Sequence, residues 1–84
     1  MNPIFSAQAW EDYLHWQQHD RKVLGRINDL LKEITRDPFA GPGKPEPLKH
    51  ALAGYWSRRI TSEHRLVYKC SDAGILIAQL RYRY

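Results

Sequence analysis

Eighty-four residues, 43% of them hydrophobic and three of them tryptophan, hold one domain around one core and exclude both a second domain and a disordered chain. The single cysteine, Cys70, excludes an intrachain disulfide and points to a reducing compartment. The net charge of +4 is unevenly spread: residues 1–42 carry five Lys/Arg against six Asp/Glu, and residues 43–84 carry eight against three.

The N-terminal MNPIFSAQAW has neither a basic start nor an apolar run of signal-peptide length, and nothing approaches a membrane span. The expected location is the cytoplasm, with no membrane partner. Ser6 is placed to cap a first helix, with Phe5 before it and Trp10 four residues after it in staple positions. Trp10, Tyr13 and Leu14 carry that helix to about His19. Asp20 can cap a second helix, in which Val23, Ile27, Leu30, Leu31 and Ile34 recur at helical spacing. Pro38 stops it. From Asp37 to Pro47 the chain reads DPFAGPGKPEP, with four prolines and two glycines in eleven residues, an ordered loop stiffened by proline.

After the loop the period changes to two. Strands are expected at Leu48–Leu52, Tyr55–Thr61, Arg65–Cys70 and Ile75–Tyr82, joined by turns at Ala53-Gly54, Ser62–His64 and Ser71–Gly74. Short connections require antiparallel neighbours. The expected fold class is α+β: one domain over residues 1–84, two N-terminal helices packed on one face of a mainly antiparallel sheet. Alternation puts Leu76, Ala78, Leu80 and Tyr82 on one side of the last strand and Gln79, Arg81 and Arg83 on the other. Leu66 and Tyr68 oppose Arg65, Val67 and Lys69, while Trp56, Arg58 and Ile60 oppose Tyr55, Ser57 and Arg59. One face is then apolar and covered, the other cationic and open. Cations interleaved with tyrosines suit phosphate attraction and base stacking, and equally a face kept for solubility.

Within the loop, GKPEPLKH encloses Glu46 between two prolines, near Lys44 and Lys49, and ends on His50. The prolines restrict its backbone and so partly set its direction. The lysines favour a charged carboxylate. Such an acid can take a proton from a hydroxyl beside a phosphate, or can simply be a surface glutamate satisfied by a lysine. Arg59 and Arg65 can offer bidentate donors to phosphate, or be solvated sheet arginines. His15 and His19 have metal-ligand spacing, but no acid or cysteine completes a signature, so no metal and no other cofactor is expected. Trp10, Tyr13 and Trp16 are assigned to the helix–sheet core and a dimer surface, and Cys70 to the core as an inert thiol.

GKPEPLKH, GYWSRRITSEHRLVY and the terminal RYRY, with the tryptophan-bearing first helix and the DPF-G-GKPEP loop, resemble the YoeB toxins of the RelE superfamily, bacterial toxin–antitoxin ribonucleases. The resemblance covers essentially the whole chain. It implies the RelE-like microbial-ribonuclease fold and metal-independent cleavage of mRNA in the ribosomal A site, by attack of a ribose 2′-OH on the adjacent phosphate. It also implies three partners: a YefM-type antitoxin, the 70S ribosome with its mRNA, and a second copy in a homodimer. Glu46 matches the family's general base, Arg65 the residue that stabilises the phosphate, and Tyr84 the terminal tyrosine. Lys49 and Arg59 match cationic contacts to RNA.

One position departs. The family usually ends in Arg-Tyr-His-Tyr, with the histidine as general acid, and this chain has Arg83 there. A guanidinium does not readily donate a proton at neutral pH, and loss of a general acid costs roughly 10²–10⁴-fold in rate. Arg83 can instead stabilise the leaving oxygen by its charge, or His50, His64 or Tyr84 can supply the proton. Alternatively the chain is a ribosome- or RNA-binding module that no longer cuts, or a co-repressor whose main role is to hold its antitoxin. We read it as an active, altered enzyme. Glu46, Arg65, Arg83 and Tyr84 are then the catalytic residues, and Lys49 and Arg59 hold the RNA.

Overall fold

The computed structural model describes residues 1–83. Helix α1 spans Ala7–His19 and helix α2 spans Arg21–Arg36. Ser6 caps α1: its hydroxyl accepts from the Ala9 N–H at 3.0 Å and donates to the Ala78 carbonyl at 2.8 Å, so the same side chain ties the helix to the sheet. Phe5 meets Trp10 edge-on, with ring centroids 6.2 Å apart. Asp20 accepts from the N–H groups of Lys22 and Val23, each at 3.1 Å, and starts α2. A cap of this kind is worth about 1 kcal/mol. Ile27, Leu30 and Ile34 of α2 are fully buried. Pro38 lacks the N–H that another turn would use, and α2 ends before it.

Five strands form one sheet in the order β1-β5-β4-β3-β2. They are β1 (Pro3–Phe5), β2 (Glu46–Pro47), β3 (Trp56–Arg59), β4 (Arg65–Ser71) and β5 (Gly74–Gln79). β2 to β5 are antiparallel neighbours, whereas β1 runs parallel to β5, with Pro3 opposite Ile75 and Phe5 opposite Ile77. Three residues are too few to show an alternating pattern, which is why β1 is absent from the sequence reading. Gly74 makes its docking possible. Its φ is +147°, and any side chain there would collide with the Asn2 carbonyl, which accepts from the Ile75 N–H at 2.8 Å.

The core lies between the helices and one face of the sheet. Ala9, Trp16, Ile27, Leu30 and Ile34 meet Ile60, Leu66, Tyr68, Ile75, Ile77 and Leu80 there. This is the expected α+β arrangement, with two corrections.

The first concerns Leu48–Leu52, which is not a strand. Pairing occurs earlier, at Glu46–Pro47, and the Leu48 N–H still reaches the Tyr55 carbonyl at 2.9 Å. The chain then leaves the ladder, because the carbonyls of Lys49 and His50 accept from Leu52 and Ala53 in a short 3₁₀ turn over His50–Leu52. The second concerns the phase of β5. Val67 pairs with Gln79 but Tyr68 with Ile77, leaving Ala78 as the extra residue of a bulge. Ile75 and Ile77 therefore face the core, not Leu76 and Ala78. Beyond the bulge the phase flips, and Gln79 and Leu80 fall where strict alternation put them, but β5 ends at Gln79 and Tyr82, expected on the covered side of a longer strand, is exposed.

Candidate active site

The loop that ends in Glu46 is fastened from beneath by a buried arginine. Arg58 sits on the helix-side face of β3 and is completely buried. Its Nε donates to Tyr68 Oη at 3.1 Å, Nη1 to the Pro42 carbonyl at 3.2 Å, and Nη2 to the carbonyls of Asp37 at 2.7 Å and Ala40 at 2.9 Å. Tyr68 in turn donates to the Pro38 carbonyl at 2.6 Å. These partners are all neutral oxygens. Asp37, the C-cap of α2, brings in the negative end of the helix dipole, so the buried charge is met by oriented carbonyl dipoles.

Gly43 closes the loop. With φ +87°, it accepts from the Arg59 N–H at 2.7 Å, and a methyl group there would lie 3.0 Å from Leu30 Cδ2 and 3.2 Å from Arg58 Cβ. The segment thus enters β2 as a fixed piece of backbone.

Strand register then decides which side chains meet. Glu46 lies opposite Ser57, Ser57 opposite Val67, and Arg59 opposite Arg65. Directly opposed residues share a face, and so do residues two apart on one strand. Glu46, Arg59 and Arg65 therefore stand together on the face turned away from the helices. Glu46 and Arg65 are two strands and two residues apart, about 12 Å between backbones, which long side chains span around a phosphate-sized group. Glu46 and Arg59 are exposed and Arg65 is half-buried. An open groove of about 740 Å³ starts at Glu46, lined by residues 46–52, and so includes exposed Lys49 and His50.

The C-terminal tail returns to the same end of the sheet. The Gln79 side-chain amide donates to the carbonyls of Arg81, Tyr82 and Arg83 at 3.0, 3.3 and 3.5 Å. The Arg65 N–H donates to the Tyr82 carbonyl at 3.0 Å, and the Tyr82 N–H to His64 Nδ1 at 2.8 Å. Arg83 is exposed, and its Nη2 donates to the Ser62 carbonyl at 3.1 Å, in the turn between β3 and β4. Tyr84 lies outside the described residues.

The open face thus gathers Glu46, Arg59 and Arg65 with Lys49 at the rim, while the Arg83 guanidinium rests on the neighbouring turn. Among the alternative proton donors, His50 borders the groove. His64 instead packs edge-on to Trp16, 4.8 Å between centroids, with Nδ1 taken by the tail.

Sequence reasoning passed over Arg58, Ser57 and Gln79. The signal for Arg58 was available, because alternation placed it on the apolar face, where an arginine needs a full set of acceptors. Ser57 Oγ is buried beside Glu46 in the strand register and has no hydrogen-bond partner among the described residues. Burial pushes the Tyr68 phenol above its ordinary range, with the Arg58 hydrogen bond opposing, and pushes the Cys70 thiol up as well, which keeps it unreactive. His15 is lowered, by burial first and then by the charge of Arg81. Its ring lies 4.6 Å from that of His19, and no group of three or more metal-type donors forms among the described residues.

Comparison with known proteins gives the family of the chain and agrees with its fold. Residues 5–84 match the family described as the YoeB-like toxin of bacterial type II toxin–antitoxin systems. Toxin YoeB of Escherichia coli K12 is 56% identical over 84 residues, covering 100% of both chains. A YoeB/ParE toxin from Agrobacterium tumefaciens superposes with a TM-score of 0.96 at 49% identity, again over 100% of both chains. A Staphylococcus aureus YoeB, solved as a dimer, superposes with a TM-score of 0.92 at 53% identity over 100% of this chain and 98% of that one. The S. aureus protein is also known in complex with YefM, with a TM-score of 0.91 at 52% identity and the same coverage. With its loop, sheet register and tail built as above, this chain belongs to the YoeB-like toxins of bacterial type II toxin–antitoxin systems.

Proposed function

We propose that the chain is an endoribonuclease toxin that cleaves mRNA in the ribosomal A site with its own side chains. The observation that carries this reading is the strand register that sets Glu46, Arg59 and Arg65 on one open face. Glu46 takes the proton from a ribose 2′-OH, and the oxygen attacks the adjacent phosphorus. The bond from phosphorus to the 5′-oxygen breaks, leaving a cyclic phosphate on one fragment and, once that oxygen is protonated, a 5′-hydroxyl on the other. Arg65 meets the extra negative charge on the phosphoryl oxygens, the kind of stabilisation that supplies the largest share of many rate enhancements. Arg59 and Lys49 hold the flanking phosphates. Arg83 turns from the Ser62 carbonyl to the leaving oxygen and stabilises it by charge, with Tyr84 positioning the same group.

The relatives support a wider setting. The S. aureus YoeB is known as a dimer and in complex with YefM, and we assign this chain a YefM-type antitoxin and a homodimer in the same way. No described helix is long and apolar enough to cross a membrane, and the cytoplasm, where ribosomes and mRNA meet, is the proposed location.

A second reading rests on Arg83 alone: a module that binds the A site but leaves mRNA whole. Purified chain incubated with a defined mRNA, with and without 70S ribosomes, separates the two. Cleavage that requires ribosomes and persists in EDTA is the expected result. Ribosome binding with intact mRNA would replace the nuclease by the binding module.

A further inference from the structure

The tail reaches the site only because the chain bends back at Tyr82, whose φ of +64° is a left-handed conformation that a large aromatic residue adopts rarely. Arg65 holds the bend at its carbonyl and His64 at its N–H. The second bond fixes a protonation state. A backbone N–H can only donate, so Nδ1 of His64 must present a lone pair, and the ring's proton sits on Nε2. An imidazolium carries hydrogen on both nitrogens and has nothing with which to accept.

We infer that His64 is a latch for the C-terminal tail: the neutral ring seats Tyr82 and so holds Arg83 on the turn beside the site, and the protonated ring releases it. Histidine is the side chain suited to such a change near neutral pH. Seating is complete where the ring is neutral and is lost where it is protonated. On release the Tyr82 N–H and an imidazolium N–H confront each other, so the bend opens on that side while Gln79 and the Arg65 N–H still hold the carbonyls. Arg83, one residue on and bonded to the turn that carries His64, loses its direction.

The charged and titratable groups around the ring come from α1, the tail, the β3–β4 connection and β4. α1 supplies His15, which interacts electrostatically with His64, and His19 and Asp12 beside it. The tail supplies Arg81 and Tyr82, the latter with its ring 5.8 Å from the imidazole. The β3–β4 connection and β4 supply the chain neighbours Glu63 and Arg65. His15 and His19 are therefore the groups whose titration has to be separated from that of His64.

The activity arm of the test rests on the nuclease reading, but the spectroscopic arm does not. In purified full-length chain, exchange of the Tyr82 amide is followed by nuclear magnetic resonance across pH, beside the rate of mRNA cleavage on ribosomes. In the parent protein Tyr82 protection and cleavage should both fall as pH is lowered, cleavage by about fivefold, the worth of one ordinary hydrogen bond. His64→Asn places a non-titrating Oδ1 where Nδ1 stood; it should remove the acid fall of Tyr82 protection and, in cleavage, only the part that follows Tyr82. His64→Ala should leave Tyr82 unprotected and cleavage about fivefold down at every pH. His15→Gln with His19→Gln should leave the Tyr82 titration in place.

Tyr82 protection that ignores pH, or an acid fall of that protection that survives His64→Asn or vanishes with the His15 and His19 changes, overturns the latch. If none of these proteins cleaves, the nuclease reading fails by itself, and the amide data still decide the latch.

Discussion

At the scale of single residues, the chemistry turns on what residue 83 can and cannot transfer. A guanidinium offers charge and a planar set of donors but keeps its protons, so on the proposed mechanism the leaving oxygen is stabilised without being protonated by Arg83. Arg83→His supplies a group that does both. It should raise the cleavage rate, by up to roughly 10²-fold, and make the rate fall on the alkaline side as the imidazole loses its proton. Primer-extension time courses across pH measure both effects. A lower rate in Arg83→His would mean that the arginine's charge and fork matter more here than a proton. Lys49 and Arg59 differ in kind, since their part is to hold phosphates, and their effects belong in KM and in salt dependence.

At the scale of elements, the site depends on a loop that makes little regular structure of its own. What keeps residues 37–43 in place is Arg58, with Tyr68 behind it. Arg58→Met fills much of the volume but strands four oxygen acceptors, and should cost about 3 kcal/mol in urea unfolding. Cleavage should drop further than the unfolded fraction explains, because Glu46 hangs from the end of that loop. Tyr68→Phe loses the bond to the Pro38 carbonyl and an acceptor for Arg58, and should cost about 1 kcal/mol. The same elements show what could be read in advance. Both helices were legible because Ser6, Asp20 and Pro38 act within a turn of where they stand, and the stripe from Val23 to Ile34 is long enough to average out exceptions. The cationic face was legible because alternation holds along β3 and β4. The phase of β5 was not, since the bulge at Ala78 arises from pairing with β4, a long-range contact that leaves no local mark. β1 was hidden because three residues show no period and because its docking depends on Gly74, some seventy residues away. Glu46 could be singled out by its prolines and lysines, but only the register with Ser57 shows that its side chain shares a face with Arg59 and Arg65.

At the scale of the whole molecule, the halves divide the work: the first half supplies most of the covering layer, and the second carries the charge excess and most of the sheet. The cost is that titratable groups are packed into the core, and their titration links stability to pH. The Tyr68 phenol and the Cys70 thiol are both held above their ordinary values of 10.0 and 9.0, mainly by burial. The folded state therefore holds these protons more tightly than the unfolded chain. That stability is complete below about pH 9 and is lost as pH rises through the folded values. Urea midpoints should fall above pH 9, and less steeply in Tyr68→Phe. A midpoint flat to pH 11 would mean that neither group is held as described. The central claim, that Glu46 is the base of a nuclease on the open face, is tested most directly by mapping mRNA cuts on programmed ribosomes with the parent chain and with Glu46→Gln. The exposed side chain is nearly isosteric with its replacement, so the fold and ribosome binding should stay unchanged. A-site cuts with the parent and a loss of at least about 10²-fold with Glu46→Gln are expected. Equal cutting by both proteins would contradict that claim.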